Sequence, residues 1–205
     1  MVSPDLIWSP ILQHIILAYT ALLASIVIGI SLAVLSLFSR TMERVVLVLA
    51  NLVQAVPTFA VVAIVVPLIG IGFWPAIIAI FLRALLPIVK NTLVGLTSTD
   101  PALIAAAEGI GLSKWEIIRY VRFKNAYPAI FAGVKFAAIL ANSVAILTAM
   151  IGSGGLGTLV FEGLAGVNMM KMLSGALPAI AIALFLDGSL SRLERRMVPP
   201  GVREA

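Results

Sequence analysis

Three glycines after residue 151 have the spacing of a dinucleotide-binding loop. Gly152, Gly154 and Gly157 satisfy the pattern G-x-G-x-x-G, in which the glycines let the backbone approach a pyrophosphate. That loop follows a β-strand, whereas here the preceding residues 126–151 form a long apolar run that is typical of a membrane helix. We therefore interpret these glycines, together with Gly155, as a tight bend at the outer surface of a membrane protein.

The sequence holds no other pattern for catalysis or metal binding. It has no cysteine and one histidine, His14, which excludes disulfides, thiolate sites and clusters of histidine ligands. No G-x-x-x-x-G-K-[ST] loop for ATP is present, and no serine or aspartate forms a catalytic cluster with His14. We expect no catalytic residue, no metal and no cofactor, and we predict that His14 lies at the membrane interface.

The composition indicates an all-α integral membrane protein. Hydrophobic residues make up 61% of the chain and charged residues 11%, with a mean hydropathy of +1.15, whereas about a quarter of the residues in a soluble domain are charged. We predict one transmembrane domain over residues 1–205, with a cytoplasmic loop at residues 95–125. Its five expected spans are residues 15–37, 45–69, 73–94, 126–151 and 172–186.

Lysine and arginine residues predict the orientation of these spans. With five spans and an outside N-terminus, only Lys171 lies on the outer side. The cytoplasmic residues are then Arg40, Arg44, Lys90, Lys114, Arg119, Arg122, Lys124, Arg192, Arg195, Arg196 and Arg203. A sixth helix within residues 158–167 would move the C-terminal arginines outside, so we prefer five spans. The pI near 10.0 thus reflects topology, and we expect no nucleic-acid partner.

The predicted cytoplasmic loop contains two short helices separated by a glycine turn. Asp100 is a suitable N-cap with Pro101 at the first helical position, and either Gly109 or Gly111 can end this helix in the left-handed conformation. Ser113 to Glu116 fits a capping box that starts the second helix. From this pattern alone, the two helices could equally lie on the lipid surface. A DNA-reading helix-turn-helix is a poorer fit, because here the two helices would be held between two membrane spans. The expected apolar surface of the second helix comprises Trp115, Ile117, Ile118, Val121 and Phe123.

The same loop resembles the EAA loop of bacterial and archaeal ABC importer permeases. That loop has Glu-Ala-Ala, three residues, Gly, nine residues and then Ile-x-Leu-Pro. The chain departs from this pattern at two places. Ala105 stands where the pattern has Glu, and Glu108 follows one helical turn later. Phe123-Lys124 stands where the pattern has Leu-Pro, and the proline appears only at Pro128. Residues 51–116 and the stretch AILTAMIGSGGLG look like permeases for glycine betaine, choline and carnitine, and less closely like methionine-type permeases.

This resemblance implies the MetI-like, type I ABC importer permease fold with a cytoplasmic coupling helix that docks on an ATPase. The implied coupling residues are Ala105, Ala106, Ala107, Glu108, Gly111, Leu112, Ser113, Lys114 and Trp115. It also implies a multi-pass subunit of the inner (cytoplasmic) membrane, surrounded by lipid. The implied partners are a cytoplasmic ABC ATPase that hydrolyses ATP, a second permease copy, identical or paralogous, and an extracytoplasmic substrate-binding protein. The glycine loop would then lie at the outer gate.

The implied function is import of quaternary ammonium osmoprotectants such as glycine betaine, choline, carnitine or proline betaine. Selectivity would reside in the binding protein, because spans one to four contain no acidic residue to hold the ammonium group. Alternatives are a permease for another small solute such as methionine, a self-sufficient channel or secondary carrier, and an intramembrane enzyme. A carrier would normally place ionisable groups for ion coupling at mid-membrane, and an enzyme would need paired carboxylates or a metal site.

Polar residues inside the predicted spans are candidates for the translocation path. Asn51, Gln54 and Pro57 recur at spacings of three on span two, and Asn142 lies on span four. Polar groups in lipid are expensive, so their faces should point into the protein. They either form hydrogen bonds between helices or line the path.

Arg83 is the most unusual of these candidates. It lies about ten residues into span three, too deep to reach either surface easily. We expect partners among the carbonyls freed by Pro87, the amides of Asn51, Gln54 and Asn142, or water. We predict a water-accessible position that faces the pathway or a dimer interface and attracts the carboxylate of a betaine.

Overall fold

The computed structural model describes residues 5–198, and every regular element in that range is helical. The helices are α1 (Asp5–Ser36), α2 (Arg40–Ala55), α3 (Thr58–Ile69), α4 (Phe73–Thr97), α5 (Pro101–Gly109), α6 (Lys114–Glu116), α7 (Phe123–Leu147), α8 (Leu156–Ala165) and α9 (Met169–Met197). A π-helical turn, Ile117–Arg122, joins α6 to α7. The first four residues lie outside the described residues, as does Arg203 of the predicted cytoplasmic cluster.

Four helical segments of the described chain are long and apolar enough to cross a membrane, namely Ile7–Ser36, Phe73–Thr97, Lys114–Ile151 and Met169–Met197. The bent pair α2 and α3 gives a fifth if it crosses as one span. This confirms an all-α membrane fold with about five spans. A helix does form in the region of the rejected sixth span, but α8 has only 10 residues and at 1.5 Å per residue is about 15 Å long, half the thickness of the hydrocarbon core.

The core lies where α4 packs between α1 and α7. Ser25 of α1 donates a hydrogen bond to the carbonyl of Phe81 (3.2 Å). At Gly95 and Gly133 the helices α4 and α7 approach so closely that a Cβ on either glycine would lie within 2.8 Å of the neighbouring helix. Small residues permit such backbone proximity in membrane bundles. Gly29 of α1 lies against Ile88 of α4, later along both helices than Ser25 and Phe81, so α1 is parallel to α4. Gly95 lies against Ala126 and Gly133 against Pro87, so α7 is antiparallel to both.

The bundle therefore has two distinct ends. At one end the amide of Gly72 donates to the carbonyl of Ile151 (2.7 Å), which joins the α3–α4 turn to the 3₁₀ turn Thr148–Ile151 that follows α7. At the other end Arg122 donates to the carbonyl of Leu96 (2.8 Å), which joins the start of α7 to the end of α4. The glycine loop and the predicted coupling segment consequently lie at opposite ends of the molecule.

The second span is not the continuous helix expected from residues 45–69. α2 and α3 meet at a bend of 102°, because Pro57 has no amide to continue α2 and would clash with the carbonyl four residues earlier. Val56, the residue before it, is extended, with φ −73° and ψ 128°, as the residue before a proline prefers.

Two helices continue beyond the predicted span boundaries. The helix that begins at Lys114 continues without a break into the fourth span, and Pro128 lies inside α7. α9 continues through the expected charged tail to Met197. There Glu194 pairs with Lys135 of α7, at 2.6 Å between Oε2 and Nζ, a long-range contact that hydropathy does not reveal.

Candidate functional site

The segment predicted to couple to an ATPase forms a helix, a glycine turn and a second helix. The side chain of Asp100 accepts from the amide of Ala102 (2.8 Å), and Pro101 occupies the first turn of α5. Ser113 and Glu116 form the predicted capping box: the carboxylate of Glu116 accepts from the amide of Ser113 (2.8 Å), and the hydroxyl of Ser113 accepts from the amide of Glu116 (3.4 Å). Both predicted helix starts are confirmed.

The capping box also affects ionisation at this tip. Hydrogen bonds from the hydroxyl and then the amide of Ser113 hold the pKa of Glu116 below its usual value of 4.5, because they stabilise the charged form. The capping box thus favours the charged form of Glu116 at this exposed tip.

The turn between the two helices depends on Gly111. Its φ is +87°, whereas Gly109 lies within α5. The amide of Gly111 donates to the carbonyl of Glu108 (2.9 Å), and the amide of Leu112 donates to that of Ala107 (3.1 Å). Of the two glycines that the sequence left open, Gly111 is the one that adopts the left-handed conformation.

The exposed apolar surface of this tip differs from the predicted one. Ile117 and Ile118 are buried against the body of the protein, so they are not available to a partner. Instead Ile110 is 80% exposed at the turn, with Leu103 (48%) exposed on α5 before it and Trp115 (55%) on α6 after it. We call Leu103, Ile110 and Trp115 the apolar tip. Sequence analysis missed Leu103 and Ile110, although an isoleucine between two glycines was an available signal.

The predicted coupling residues surround this apolar tip. Ala105, Ala106 and Glu108 are exposed on α5, whereas Ala107 is buried and Leu112 is partly buried. A groove of about 530 Å³ lies behind the tip, between α5, α6 and the start of α2. Its charged lining residues are Arg40, Glu43, Glu108, Lys114 and Arg122. The tip thus has an apolar crest and a charged groove.

Arg83 and Gln54 meet at the break in the second span. Nη1 of Arg83 donates to the carbonyls of Val53, Gln54 and Val56 at 3.1–3.3 Å, and Nε2 of Gln54 donates to the carbonyl of Arg83 at 3.0 Å. Arg83 is 8% exposed, so the expected water-accessible position is wrong. Its partners are carbonyls freed at Pro57 and not those freed at Pro87.

The remaining path candidates do not converge on one surface. Asn51 and Pro57 are exposed, but Pro57 lies outside α2, so the predicted single helix face is wrong. Asn142 is buried: its Oδ1 lies 3.0 Å from Nε2 of His14, and its Nδ2 donates to the carbonyl of Ala179 (3.2 Å). His14 is fully buried within the bundle, and its position at the level of the membrane interface stays a prediction. Asn142 connects α1, α7 and α9.

The glycine loop forms a tight bend, as predicted. Gly152, Gly154 and Gly155 have φ values of +77°, +76° and +82°, while at Gly157 a Cβ would collide with the carbonyl of Ile146. The amide of Gly155 donates to Oε1 of Gln13 (3.0 Å), a contact that the sequence did not predict. This loop is thereby fixed to the start of α1. Within residues 5–198 no group of three His, Asp or Glu residues is arranged to hold a metal ion.

Comparison with known proteins identifies the family. Residues 25–199 match the model of the binding-protein-dependent transport system inner membrane component. The chain belongs to this family. It is therefore an inner membrane component of a transport system, which agrees with its several apolar helices.

Several relatives are named as permeases for osmoprotectants. The chain is 37% identical over 196 residues to the osmoprotectant import permease protein OsmW of Salmonella typhimurium, covering 93% of this chain and 91% of that protein. It is 35% identical to the carnitine transport permease protein OpuCB of Listeria monocytogenes, covering 94% and 88%. It is 33% identical to the glycine betaine/carnitine/choline permease protein OpuCB of Bacillus subtilis, covering 93% and 88%.

Solved structures share the fold of this permease at lower sequence identity. The MetNI methionine ABC transporter in an inward-facing conformation has a TM-score of 0.88 at 19% identity, covering 97% of this chain and 100% of that one. An amino acid ABC transporter determined with histidines has a TM-score of 0.79 at 17% identity, covering 94% of both chains. The MetI-like fold that the sequence resemblance implied is confirmed.

Proposed function

We propose that this permease is the membrane subunit of an ATP-driven importer of quaternary ammonium osmoprotectants. The substrate class is supported by a relative named for osmoprotectant import at 37% identity and by relatives named for carnitine, choline and glycine betaine at 31–35%, each over nearly the whole chain. The methionine transporter supports only the fold, because its identity is 19%. The proposed partners are a cytoplasmic ABC ATPase, which hydrolyses ATP, an extracytoplasmic binding protein and a second permease copy.

The observation that carries the coupling role is the apolar tip. Ile110 is 80% exposed on the turn between Glu108 and Lys114, and Leu103 and Trp115 are exposed on the two helices that the turn joins. Exposed apolar side chains grouped in this way favour contact with a partner protein. The helix behind the tip runs from Lys114 to Ile151 without a break. A displacement of the tip by the ATPase would therefore be passed along a continuous helix to the opposite end of the bundle.

The proposed path uses fewer residues than the sequence predicted. Asn51 and Pro57, which are exposed on either side of the α2–α3 break, would border the path, with Gln54 and Arg83 behind them. Asn142 would act through its contacts with α1 and α9. The loop of Gly152, Gly154, Gly155 and Gly157 would border the outer mouth, where Gln13 fixes its position.

The proposal predicts that Ile110→Asp abolishes association with the ATPase, because a carboxylate replaces the exposed apolar side chain at the centre of the tip. The measurement is co-purification of the ATPase with the tagged permease from membranes. Val167→Asp is a matched control: Val167 is 91% exposed at the opposite end, and its φ of +49° is tolerated by aspartate. Retention of the ATPase by Ile110→Asp would contradict the proposed docking site.

Substrate class is tested by uptake into proteoliposomes that contain the permease, its ATPase and its binding protein. We expect ATP-dependent accumulation of labelled glycine betaine or choline, and none of methionine. Accumulation of methionine alone would contradict the substrate class while leaving the fold and the coupling role intact.

A further inference from the structure

A helix ends inside the predicted second span, and Val53, Gln54 and Val56 at its end are only partly exposed. α2 stops at Ala55, and Pro57 has no amide to donate back to it. The last carbonyls of any helix lack donors from the same helix. In hydrocarbon each such group must find a partner within the protein. The broken span therefore needs a donor from another element.

Arg83 of α4 supplies that donor. Its Nη1 lies 3.2 Å from the carbonyl of Val53, 3.3 Å from that of Gln54 and 3.1 Å from that of Val56. A cation at this position also faces the partial negative charge of a helix C-terminus. In the opposite direction, Nε2 of Gln54 donates a hydrogen bond to the carbonyl of Arg83. We call this reciprocal set of hydrogen bonds between Arg83 and the end of α2 the α2–α4 clamp.

We propose that Arg83 is a positioning residue for transport, which holds the second span in its bent form and does not bind the substrate carboxylate. The clamp fixes where α2 ends and where α3 departs, and so sets the position of exposed Asn51 and Pro57 on either side of the break. Its burial, at 8% exposure, keeps the guanidinium from a passing solute. Only the transport arm of the test rests on the proposed function.

The bend itself can be measured between labels on the two arms. The chain has no cysteine, so Val45→Cys and Leu68→Cys, both at exposed positions, can carry a pair of spin labels. With a rise of 1.5 Å per residue, their Cα atoms are about 21 Å apart across a 102° bend and about 34 Å apart in a straight helix. The measurement is the distribution of label distances in the purified permease.

We expect Arg83→Met to lengthen the mean distance by roughly 5 Å or more, or to broaden the distribution by that amount, because the freed carbonyls lose their donor. Arg83→Lys keeps the charge but lacks the planar set of donors. Its mean label distance should therefore lie between those of wild type and Arg83→Met. Lys90→Met is the matched control, since it removes an exposed cation from the same helix. An unchanged distribution in Arg83→Met would overturn the proposal.

Transport of two substrates separates positioning from substrate binding. Glycine betaine has a carboxylate and choline has none, so a guanidinium that reads the carboxylate would affect betaine alone. We expect Arg83→Met to lower the maximal uptake of both substrates by the same factor, roughly tenfold or more, with partial recovery in Arg83→Lys. A fall for betaine alone, or no fall for either, would overturn the proposal.

The label distances test the role of Arg83 independently of the proposed function. If wild type transports neither substrate, the proposed function is wrong, while the label distances still decide the role of Arg83 in the bend. If Arg83→Met does not reach the membrane, Arg83→Lys carries both measurements. A wild-type distance and wild-type uptake in Arg83→Lys would then overturn the proposal.

Discussion

Gly111 shows how a single backbone conformation shapes the coupling segment. Its φ of +87° reverses the chain between α5 and α6 and places Ile110 at the crest of the turn. No atom lies within 4 Å of the position that a Cβ would occupy, so space does not limit the residue type here. The limit is conformational, because a side chain at positive φ is strained.

We therefore expect Gly111→Val to destabilise the turn by about 1–2 kcal/mol or more and to reduce ATPase association while the protein still inserts into the membrane. Gly109→Ala is the matched control: that glycine is helical with open space around it, so alanine should be neutral or slightly stabilising. Co-purification of the ATPase measures both variants. Equal loss in the two variants would show that the turn conformation is not what matters.

Among the elements, α7 connects the two ends of the molecule. It continues from the coupling segment, packs along α4 and is tied to α9 by the pair Lys135–Glu194. Both side chains of this pair are about one quarter exposed. The second described pair, Lys171–Glu162, joins α9 to α8 at the opposite end with side chains 38% and 52% exposed. Because the two ion pairs differ in burial, they should differ in their contribution to the stability of the folded protein.

We expect Lys135→Met or Glu194→Gln to lower stability by roughly 1–3 kcal/mol, because each leaves a partly buried charge without its partner. The double variant should lose less than the sum of the two. In the more exposed pair, Lys171→Met should change stability by about 0–1 kcal/mol. Apparent thermal midpoints of the purified permease measure all four variants, and strictly additive losses at Lys135 and Glu194 would contradict the coupling.

For the whole molecule, the arrangement of the ends predicts the orientation in the membrane. The coupling segment lies at one end and the glycine loop at the other, and the positive residues predict that the coupling end is cytoplasmic. Lys171, the residue that falls on the outer side, is paired with Glu162. We therefore predict an outside N-terminus and an inside C-terminus.

We test this orientation with single cysteines in the cysteine-free chain. An impermeant thiol reagent added to intact cells should label Met170→Cys, which replaces a side chain 73% exposed at the outer end. It should not label Ser113→Cys or Ser189→Cys until the membrane is opened. Labelling of Ser113→Cys from outside would contradict both the orientation and the coupling role.

The sequence by itself determined the membrane class, the approximate spans, the two caps of the coupling segment and the bend at the glycine loop. Each of these depends on local properties: hydropathy over a window, a capping side chain within three residues, or the φ available to glycine. The resemblance to permeases added the fold and the family, which the comparisons confirmed.

Tertiary structure alone decided the contacts between distant residues. Arg83 finds carbonyls 27 to 30 residues away, Asn142 meets His14 across 128 residues, and Ile118 turns inward while Ile110 stays exposed. The partner of a polar group in a bilayer is whichever donor or acceptor the packed helices bring within about 3 Å. Periodicity in one helix cannot predict that choice, because it depends on where a second helix breaks.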